Sequence, residues 1–272
     1  MSAPPFSHEH LGRVLVIAGS DSGGGAGIQA DIKAVAILGG HAATAITAIT
    51  VQNTLGVHGV LPIPLEIIAA QAQAVLDDIG TDVIKTGMLG DAATVALVAR
   101  LIVEAGVPAV VDPVMAAKDG SLLLEPFALG ALREDLIPHA ALLTPNAPEA
   151  ALLTGLSVET TDDLRRAGTA LLTLGCDAVL MKGGHIPGLR VIDILMTPVA
   201  ETVFESGRID SRHTHGTGCT LASACAVGLA QGLSLDAAVR RARDYVHEAI
   251  VRAPGFGAGH GPLDHAWPMR DR

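Results

Sequence analysis

The segment 214–220, which reads THGTGCT, carries the densest set of potentially reactive groups in this sequence. Gly216 and Gly218 directly precede a stretch of small apolar residues that is predicted to be a helix beginning near Cys219. Backbone N–H groups at a helix N-terminus, together with the helix dipole, form a site for an anion such as phosphate. The same position favours a cysteine thiolate, which can take a proton from a hydroxyl group. The segment therefore predicts an anion hole beside a general base.

Two other interpretations of this segment stay open on the sequence alone. The glycines are also typical of an ordinary helix cap, with Cys219 buried and inert behind it. A metal site made of His213, His215 and Cys219 is the second alternative, and it would lack a further nearby Cys–His pair to complete tetrahedral zinc.

Polar side chains follow three further predicted strands at the point where each strand ends. Asp112 ends the hydrophobic strand in VVDPVM, Asn146 and Glu149 lie in TPNAPEA, and Lys182 lies in MKGGH. Carboxylate and amide oxygens suit Mg²⁺, and a lysine among glycines can reach phosphate groups. Asn146 followed three residues later by Glu149 is equally typical of a capping box, and the spacing does not separate the two interpretations.

A glycine-rich loop occupies residues 18–31, AGSDSGGGAGIQAD, between a predicted strand and a predicted helix. Residues 25–30 satisfy the loose dinucleotide pattern GxGxxA, but the acidic residue that binds ribose about 20 residues later is missing. The sequence also lacks GxxxxGK[ST], which argues against a P-loop enzyme. The loop is predicted either to approach a ligand closely or to serve as a structural turn.

Gln52 lies in the motif TVQNT, inside the uncharged stretch 34–65. A primary amide offers an acceptor oxygen and two donor hydrogens, which suits the edge of an aminopyrimidine. The alternative is that Gln52 caps the backbone at the end of a strand.

Short apolar runs alternate along the chain with segments of helical spacing. Residues 13–18, 83–86 and 109–111 are predicted strands, and residues 27–38 and 92–105 are predicted helices. Repeated strand–loop–helix units predict an α/β fold, a mostly parallel sheet with helices on both faces. Because ligands bind at the carboxyl ends of the strands in such sheets, we expect the separated motifs to converge there.

Composition excludes several classes of protein. The 272 residues carry a formal net charge of −10 and 2% aromatic residues, so neither a phosphate-backbone binder nor a base-stacking protein is expected. The uncharged stretches 34–65 and 213–235 are interrupted by glycine and polar residues, and neither is predicted to span a membrane. Three cysteines without a CxxC pair favour the cytoplasm. We predict one domain over residues 13–268, after a loosely ordered N-terminus at residues 1–12.

The ordered set of motifs resembles one family. The segments IAGSDSGGGAGIQADIK, TVQNTLGV, KTGMLG, VVDPVM, LLTPNAPEA, LMKGGH and THGTGCTLASA resemble, in that order, the hydroxymethylpyrimidine/phosphomethylpyrimidine kinases of thiamine biosynthesis. These enzymes belong to the ribokinase-like superfamily, and the resemblance extends over residues 13–267. It implies a three-layer α/β/α fold. It also implies two successive transfers from ATP with Mg²⁺, first onto the hydroxymethyl group of 4-amino-5-hydroxymethyl-2-methylpyrimidine and then onto its monophosphate.

The resemblance also implies roles for individual residues. Gln52 would read the pyrimidine edge, with Asp31 and Met88 lining the pocket. Since aromatic residues are scarce, aliphatic walls are expected around the ring, and Val51 is a further candidate. The other implied roles are an anion hole at Gly216, Thr217 and Gly218, the base Cys219, ATP contacts at Asp112, Asn146, Lys182 and Thr214, and Mg²⁺ held through water by Glu149.

One departure from the family pattern and several alternatives remain. The family often carries GKGxGP near its C-terminus, and Ala258 stands here in place of that lysine. Pyridoxal kinases share the GTGC signature and are the alternative within the superfamily. A nicotinamide-dependent oxidoreductase and a non-catalytic pyrimidine-binding regulator are the alternatives from other classes. The resemblance further implies a homodimer.

Overall fold

The computed structural model describes residues 11–116, 120, 123–125 and 127–270. Within these residues nine strands form one sheet, in the order β3-β2-β1-β4-β5-β6-β7-β8-β9. The strands are β1 Arg13–Asp21, β2 His41–Asn53, β3 Gly56–Pro62, β4 Val83–Thr86, β5 Ala109–Val111, β6 Leu142–Leu143, β7 Val179–Met181, β8 Arg190–Met196 and β9 Glu201–Gly207.

The centre of the sheet is parallel and its two edges are antiparallel. Strands β2, β1, β4, β5, β6 and β7 pair in parallel, whereas β3 pairs antiparallel with β2 at one edge. At the other edge β8 and β9 form an antiparallel hairpin beside β7. The mostly parallel α/β sheet predicted from the sequence is therefore confirmed.

Helices cover both faces of the sheet. They are α1 Gly27–Ile37, α2 Leu65–Asp78, α3 Ala92–Ala105, α4 Ala128–Ala131, α5 Ala147–Thr154, α6 Thr161–Leu172, α7 Thr217–Ala230, α8 Leu235–Val251 and α9 Trp267–Arg270. Leu15 and Ile17 of β1 pack with α2, α3, α5 and α6, while Val14 and Val16 pack with α1, α7 and α8. Because both faces of β1 are buried, its sequence is a continuous apolar run without polar alternation.

The structure differs from the predicted elements in three places. Strand β3 is not predicted from the sequence, because its residues 56–62 contain glycine, histidine and proline. Strand β1 continues to Asp21, three residues into the predicted glycine loop. The spacing of apolar residues also predicts one helix over residues 126–137. Residue 126 lies outside the described residues, and the chain then forms α4, a π-helical segment at Leu132–Leu136 and a 3₁₀ turn at Ile137–His139.

The prediction of a loosely ordered N-terminus falls largely outside the described residues, and a second prediction concerns membrane spans. Of the N-terminal segment 1–12, only Leu11 and Gly12 are described. Among the described helices, none combines the length and apolarity needed to cross a bilayer.

Candidate active site

The glycine-rich loop and the THGTGCT segment meet at the carboxyl end of β1. Gly216 is the N-cap of α7 with a φ of +82°, and a Cβ at this position would overlap the carbonyl oxygen of Gly25. From the same loop, the backbone N–H of Gly27 donates a hydrogen bond to the Cys219 thiol. The convergence of these two motifs, expected from topology alone, is therefore observed.

Helix α7 begins without a side-chain cap, because its N-cap residue is Gly216. The first N–H groups of a helix have no partner within the helix, so those at Gly218 and Cys219 point out of its N-terminus. The Thr217 hydroxyl donates to the carbonyl oxygen of Thr214 at 2.8 Å, which folds the preceding turn back onto the helix start. This arrangement suits an anion held by backbone groups.

Lys182 lies between two carboxylates at the same edge. Its Nζ is 3.1 Å from Asp112 Oδ1 and 3.9 Å from Glu149 Oε2. A Cβ on Gly218 would lie 3.2 Å from Lys182 Nζ, so a side chain there would press the ammonium back by a few tenths of an ångström. Although burial opposes the charged form, Asp112 and Glu149 raise the pKa of Lys182, which stays protonated.

Asn146 and Glu149 form a capping box at the start of α5. Asn146 Oδ1 accepts from the Glu149 N–H at 2.9 Å, and Glu149 Oε2 accepts from the Asn146 N–H at 2.8 Å. The capping interpretation left open by the sequence is thus confirmed. Burial raises the pKa of Glu149 to about 7, with Lys182 opposing and Asp112 adding to the shift. Burial and the neighbouring Asp112 therefore outweigh the stabilising charge of Lys182 on this carboxylate.

Cys219 is a neutral thiol at neutral pH. Burial raises its pKa to about 12; the Lys85 ammonium pulls the pKa down, while Asp31 and Asp112 push it up. The expectation that the helix N-terminus favours a resting thiolate is therefore wrong, because burial and two neighbouring carboxylates outweigh the partial charge of the helix end.

Asp31 lies beneath the site and not in its wall. It is fully buried, with its Oδ1 2.8 Å from Lys85 Nζ and 2.7 Å from the Ser223 hydroxyl that donates to it. The side chains of Asp31 and Lys85 both have no exposed surface. A side chain without accessible surface does not contact a ligand, so the structure does not support Asp31 as a pocket-lining residue and gives it a supporting position near Cys219.

Gln52 and Val51 lie on opposite sides of β2. Gln52 is half-buried and contacts Thr50 and His215. Val51 is 62% exposed and its side chain lies on the other face of the sheet, as the two-residue period of a strand requires. Its register partner on β3 is Gly59. The structure therefore does not bring Val51 to the Gln52 side. Met88 is buried beside Gly19 at the end of β1 and remains a candidate for the pocket wall.

Asp21 was not predicted from the sequence to belong to the site, and His215 was considered only as a metal ligand. Asp21 Oδ2 lies 3.0 Å from His215 Nε2 and accepts the backbone N–H groups of Gly25 and Ala26 at 2.9 and 2.8 Å. Although burial opposes charging, hydrogen bonds from His215, Ala26 and Gly23 hold the pKa of Asp21 below its ordinary value. The signal was present in the sequence, since this aspartate opens the glycine loop.

No cluster of three or more His, Cys, Asp or Glu side chains within the described residues is arranged as a metal site. At the position of the family lysine, the Ala258 carbonyl oxygen lies 3.5 Å from the Arg212 guanidinium. His260, two residues further along and also able to carry a positive charge, has its Nδ1 3.0 Å from the Arg212 carbonyl oxygen. The positively charged Arg212 side chain therefore lies beside the loop that lacks the family lysine.

Comparison with known proteins first defines the class. The fold matches the ADP complex of Bacillus subtilis pyridoxal kinase with a TM-score of 0.88 and 36% identity, covering 96% of this chain and 100% of that one. It also matches phosphomethylpyrimidine kinase from Clostridium difficile with a TM-score of 0.79 and 40% identity, covering 88% and 99% of the two chains. The protein therefore has the ribokinase-like fold of small-molecule kinases.

Sequence comparison then gives the family. The family model described as phosphomethylpyrimidine kinase matches residues 21–264. The chain is 49% identical over 256 residues to the hydroxymethylpyrimidine/phosphomethylpyrimidine kinase of Streptomyces coelicolor, covering 94% of this chain and 95% of the relative. The chain belongs to the phosphomethylpyrimidine kinase family, as the motifs predicted.

Proposed function

We infer that this protein phosphorylates the hydroxymethyl group of 4-amino-5-hydroxymethyl-2-methylpyrimidine with ATP and then phosphorylates the resulting monophosphate to the pyrophosphate. The observation that carries this inference is the meeting of Lys182, Asp112 and the uncapped start of α7 beside Cys219. Membership of the family supplies the reaction class and the substrate.

The geometry suits phosphoryl transfer because that reaction needs positioning and charge stabilisation more than covalent help. Backbone N–H groups at Gly218 and Cys219 would stabilise the negative charge that develops on the transferred group. Lys182 would leave its carboxylate partners in part to contact phosphate oxygens. The thiolate form of Cys219, a small fraction at neutral pH, would accept the hydroxyl proton in the first transfer, while in the second transfer the acceptor is already an ionised phosphate.

The carboxylates fit a divalent cation. Asp112 and Glu149 both lie beside Lys182, and a bound cation would stabilise the charged form of Glu149, which burial and Asp112 disfavour. The capping box uses Oε2 of Glu149 and leaves the other carboxylate oxygen outside it. When bound with ATP, Mg²⁺ would offset the charge of the phosphates. Asp112 and Glu149 would hold it, through water at Glu149.

An assay with separated products tests the proposal. We expect ATP-dependent conversion of the pyrimidine alcohol into mono- and pyrophosphate, resolved by ion-exchange chromatography and mass spectrometry. Replacing Lys182 with Met should reduce both steps by about 100-fold or more, because an uncompensated phosphate charge is left in the site. Absence of ATP turnover with bound pyrimidine would instead support the regulator.

Pyridoxal is the second candidate substrate, since the solved structure with a TM-score of 0.88 is a pyridoxal kinase. Competition between the two alcohols at equal concentration separates these functions. A higher kcat/KM for the pyrimidine supports the proposal, and a higher value for pyridoxal reverses it.

A homodimer and a cytoplasmic location are further proposals. The β2–β3 edge exposes Ile49, Val51 and Leu61, and since Ile49 and Leu61 are paired across the strands, all three lie on one face. Such an apolar patch is typical of an interface between protomers. Cys176, Cys219 and Cys225 are free thiols, which is in keeping with a reducing compartment.

A further inference from the structure

The side-chain amide of Gln52 faces two neighbours, with its nitrogen toward a ring nitrogen of His215 and its oxygen toward the hydroxyl oxygen of Thr50. Its Nε2 lies 3.2 Å from His215 Nε2, and its Oε1 lies 3.3 Å from the Thr50 hydroxyl. The two ends of a primary amide have nearly the same shape, so the surrounding hydrogen bonds decide which way round it lies.

His215 Nε2 carries a hydrogen in this environment. Asp21 Oδ2 lies 3.0 Å from it, and hydrogen bonds from two backbone N–H groups to the same oxygen keep Asp21 a carboxylate, which only accepts. A bare ring nitrogen at this distance would set lone pair against lone pair. With the hydrogen on Nε2, the Gln52 nitrogen would face it donor to donor.

Thr50 leads to the same conclusion independently. Its hydroxyl donates to the Ser20 carbonyl oxygen at 2.9 Å, the shorter of its two contacts. The single hydroxyl hydrogen is then used, and Thr50 Oγ1 can only accept from Gln52. With the Gln52 oxygen on that side, acceptor would face acceptor.

We propose that Asp21 and His215 are positioning residues that hold the Gln52 amide with its oxygen toward His215 and its nitrogen toward Thr50. In that orientation the Gln52 N–H donates to Thr50 Oγ1, and the Gln52 oxygen shares the His215 Nε2 hydrogen with Asp21. The amide keeps one oxygen lone pair and one N–H hydrogen, in a fixed order, for a ligand. This proposal rests on the proposed function for the identity of the ligand.

The fixed order selects the substrate edge. In the 4-aminopyrimidine, the exocyclic N–H donates to the Gln52 oxygen while the adjacent ring nitrogen accepts from the Gln52 N–H. The 4-oxo analogue, 5-hydroxymethyl-2-methylpyrimidin-4-one, presents a carbonyl and a ring N–H in the opposite order. Its carbonyl oxygen would face the Gln52 oxygen and its ring N–H would face the Gln52 N–H, so these polar groups would be left without hydrogen-bond partners.

The first test reads the His215 ring directly in the protein without substrate. Long-range ¹⁵N–¹H correlation spectra at mildly alkaline pH distinguish the protonated ring nitrogen, and His215→Gln identifies the signal by its loss. We expect the hydrogen on Nε2. A neutral ring protonated on Nδ1 alone would overturn the proposal, whatever the enzyme's substrate proves to be.

The second test measures selectivity as the ratio of kcat/KM for the 4-amino and 4-oxo alcohols. Wild type should prefer the amino compound by about 1,000-fold or more, as hydrogen-bonding sites do. His215→Leu, which frees the amide to turn, should lower that ratio about tenfold or more. His215→Gln is the matched control, because its N–H can reach the place of Nε2 and should keep most of the ratio.

A merely structural role for His215 gives a different result. Loss of packing would lower both kcat/KM values together and leave their ratio unchanged in His215→Leu, which would contradict the proposal. If wild type turns over neither pyrimidine, the proposed function fails, and the His215 tautomer still decides the orientation of Gln52.

Discussion

Cys219, predicted to be the catalytic base, and Glu149, predicted to hold Mg²⁺ through water, have different chemistry in the folded protein from that expected of isolated motifs. Cys219 is a neutral thiol because burial and nearby carboxylates disfavour its charge. Glu149 serves as a capping residue while its pKa rises to about 7. At the residue scale, each side chain therefore has a structural role and a candidate chemical role that substitutions can separate.

Replacing Cys219 with Ala should affect the two phosphorylations unequally. The first transfer must remove a hydroxyl proton, and loss of a general base typically costs about 100-fold or more. The second transfer starts from an ionised phosphate and should lose far less. Single-turnover assays of each step measure this, and equal losses would show that Cys219 is not the base.

The pH dependence supplies an independent check on the same residue. Since the pKa of Cys219 is raised to about 12, its thiolate fraction increases about tenfold per unit as pH rises through the neutral range. The first transfer in wild type should therefore accelerate with pH, and Cys219→Ala should abolish this dependence. A flat wild-type profile would contradict a thiolate base.

Glu149→Gln and Glu149→Ala form a matched pair that separates capping from cation binding. Gln keeps an oxygen for the Asn146 N–H, so stability should change little, whereas Ala should cost about 1 kcal/mol in thermal or denaturant unfolding. Both should weaken Mg–ATP binding, measured by calorimetry.

In wild type, Mg–ATP affinity should improve as pH rises through about 7, because deprotonation of Glu149 supplies the charge. Glu149→Gln should remove that improvement. If the Gln variant binds Mg–ATP as wild type does, Glu149 acts as a cap only.

At the scale of elements, the start of α7 depends on a close approach of two backbones. Gly216 lies in the left-handed region with a φ of +82°, directly against Gly25. Gly232, just beyond the end of the same helix, has a φ of +81°, and a Cβ added there would meet no atom within 4 Å. The two glycines share a backbone conformation and differ in their surroundings.

Gly216→Ala and Gly232→Ala should therefore have different effects. Gly232→Ala should cost about 1 kcal/mol of stability from backbone strain alone and leave activity unchanged. Gly216→Ala must also push the glycine loop away from the anion hole, and its activity should fall about 100-fold or more. Similar activities of the two variants would show that the contact does not hold the site.

At the scale of the whole molecule, the antiparallel strand β3 extends the sheet and creates an exposed apolar edge. Leu61 of this strand is 62% exposed and lies opposite Ile49. Burying such a patch against a second copy would remove it from water and would place the interface close to Gln52 on β2.

Leu61→Lys should dissociate the proposed dimer, because a charge at the centre of an apolar interface has no partner. Sedimentation velocity at micromolar concentration should show a dimer for wild type and a monomer for the variant. Val199→Lys is the control, since Val199 is an isolated apolar residue, 94% exposed, between β8 and β9. A monomeric wild type would contradict the dimer.

The sequence by itself determined the parallel core of the sheet, the placement of Asp112, Asn146 and Lys182 at strand ends, and the family. These features are local: apolar runs, glycine positions and capping residues depend on neighbours in the chain. Helix α3 begins and ends at the predicted residues for the same reason.

Only the tertiary structure decided which groups share a charge environment. The burial of Asp31 with Lys85, the neutral state of Cys219 and the contact of His215 with both Asp21 and Gln52 join residues separated by 54 to 194 positions. Protonation and the direction of a hydrogen bond depend on burial and on partners from distant segments. No pattern of neighbouring residues encodes these, and here they determine how the site would treat its substrate.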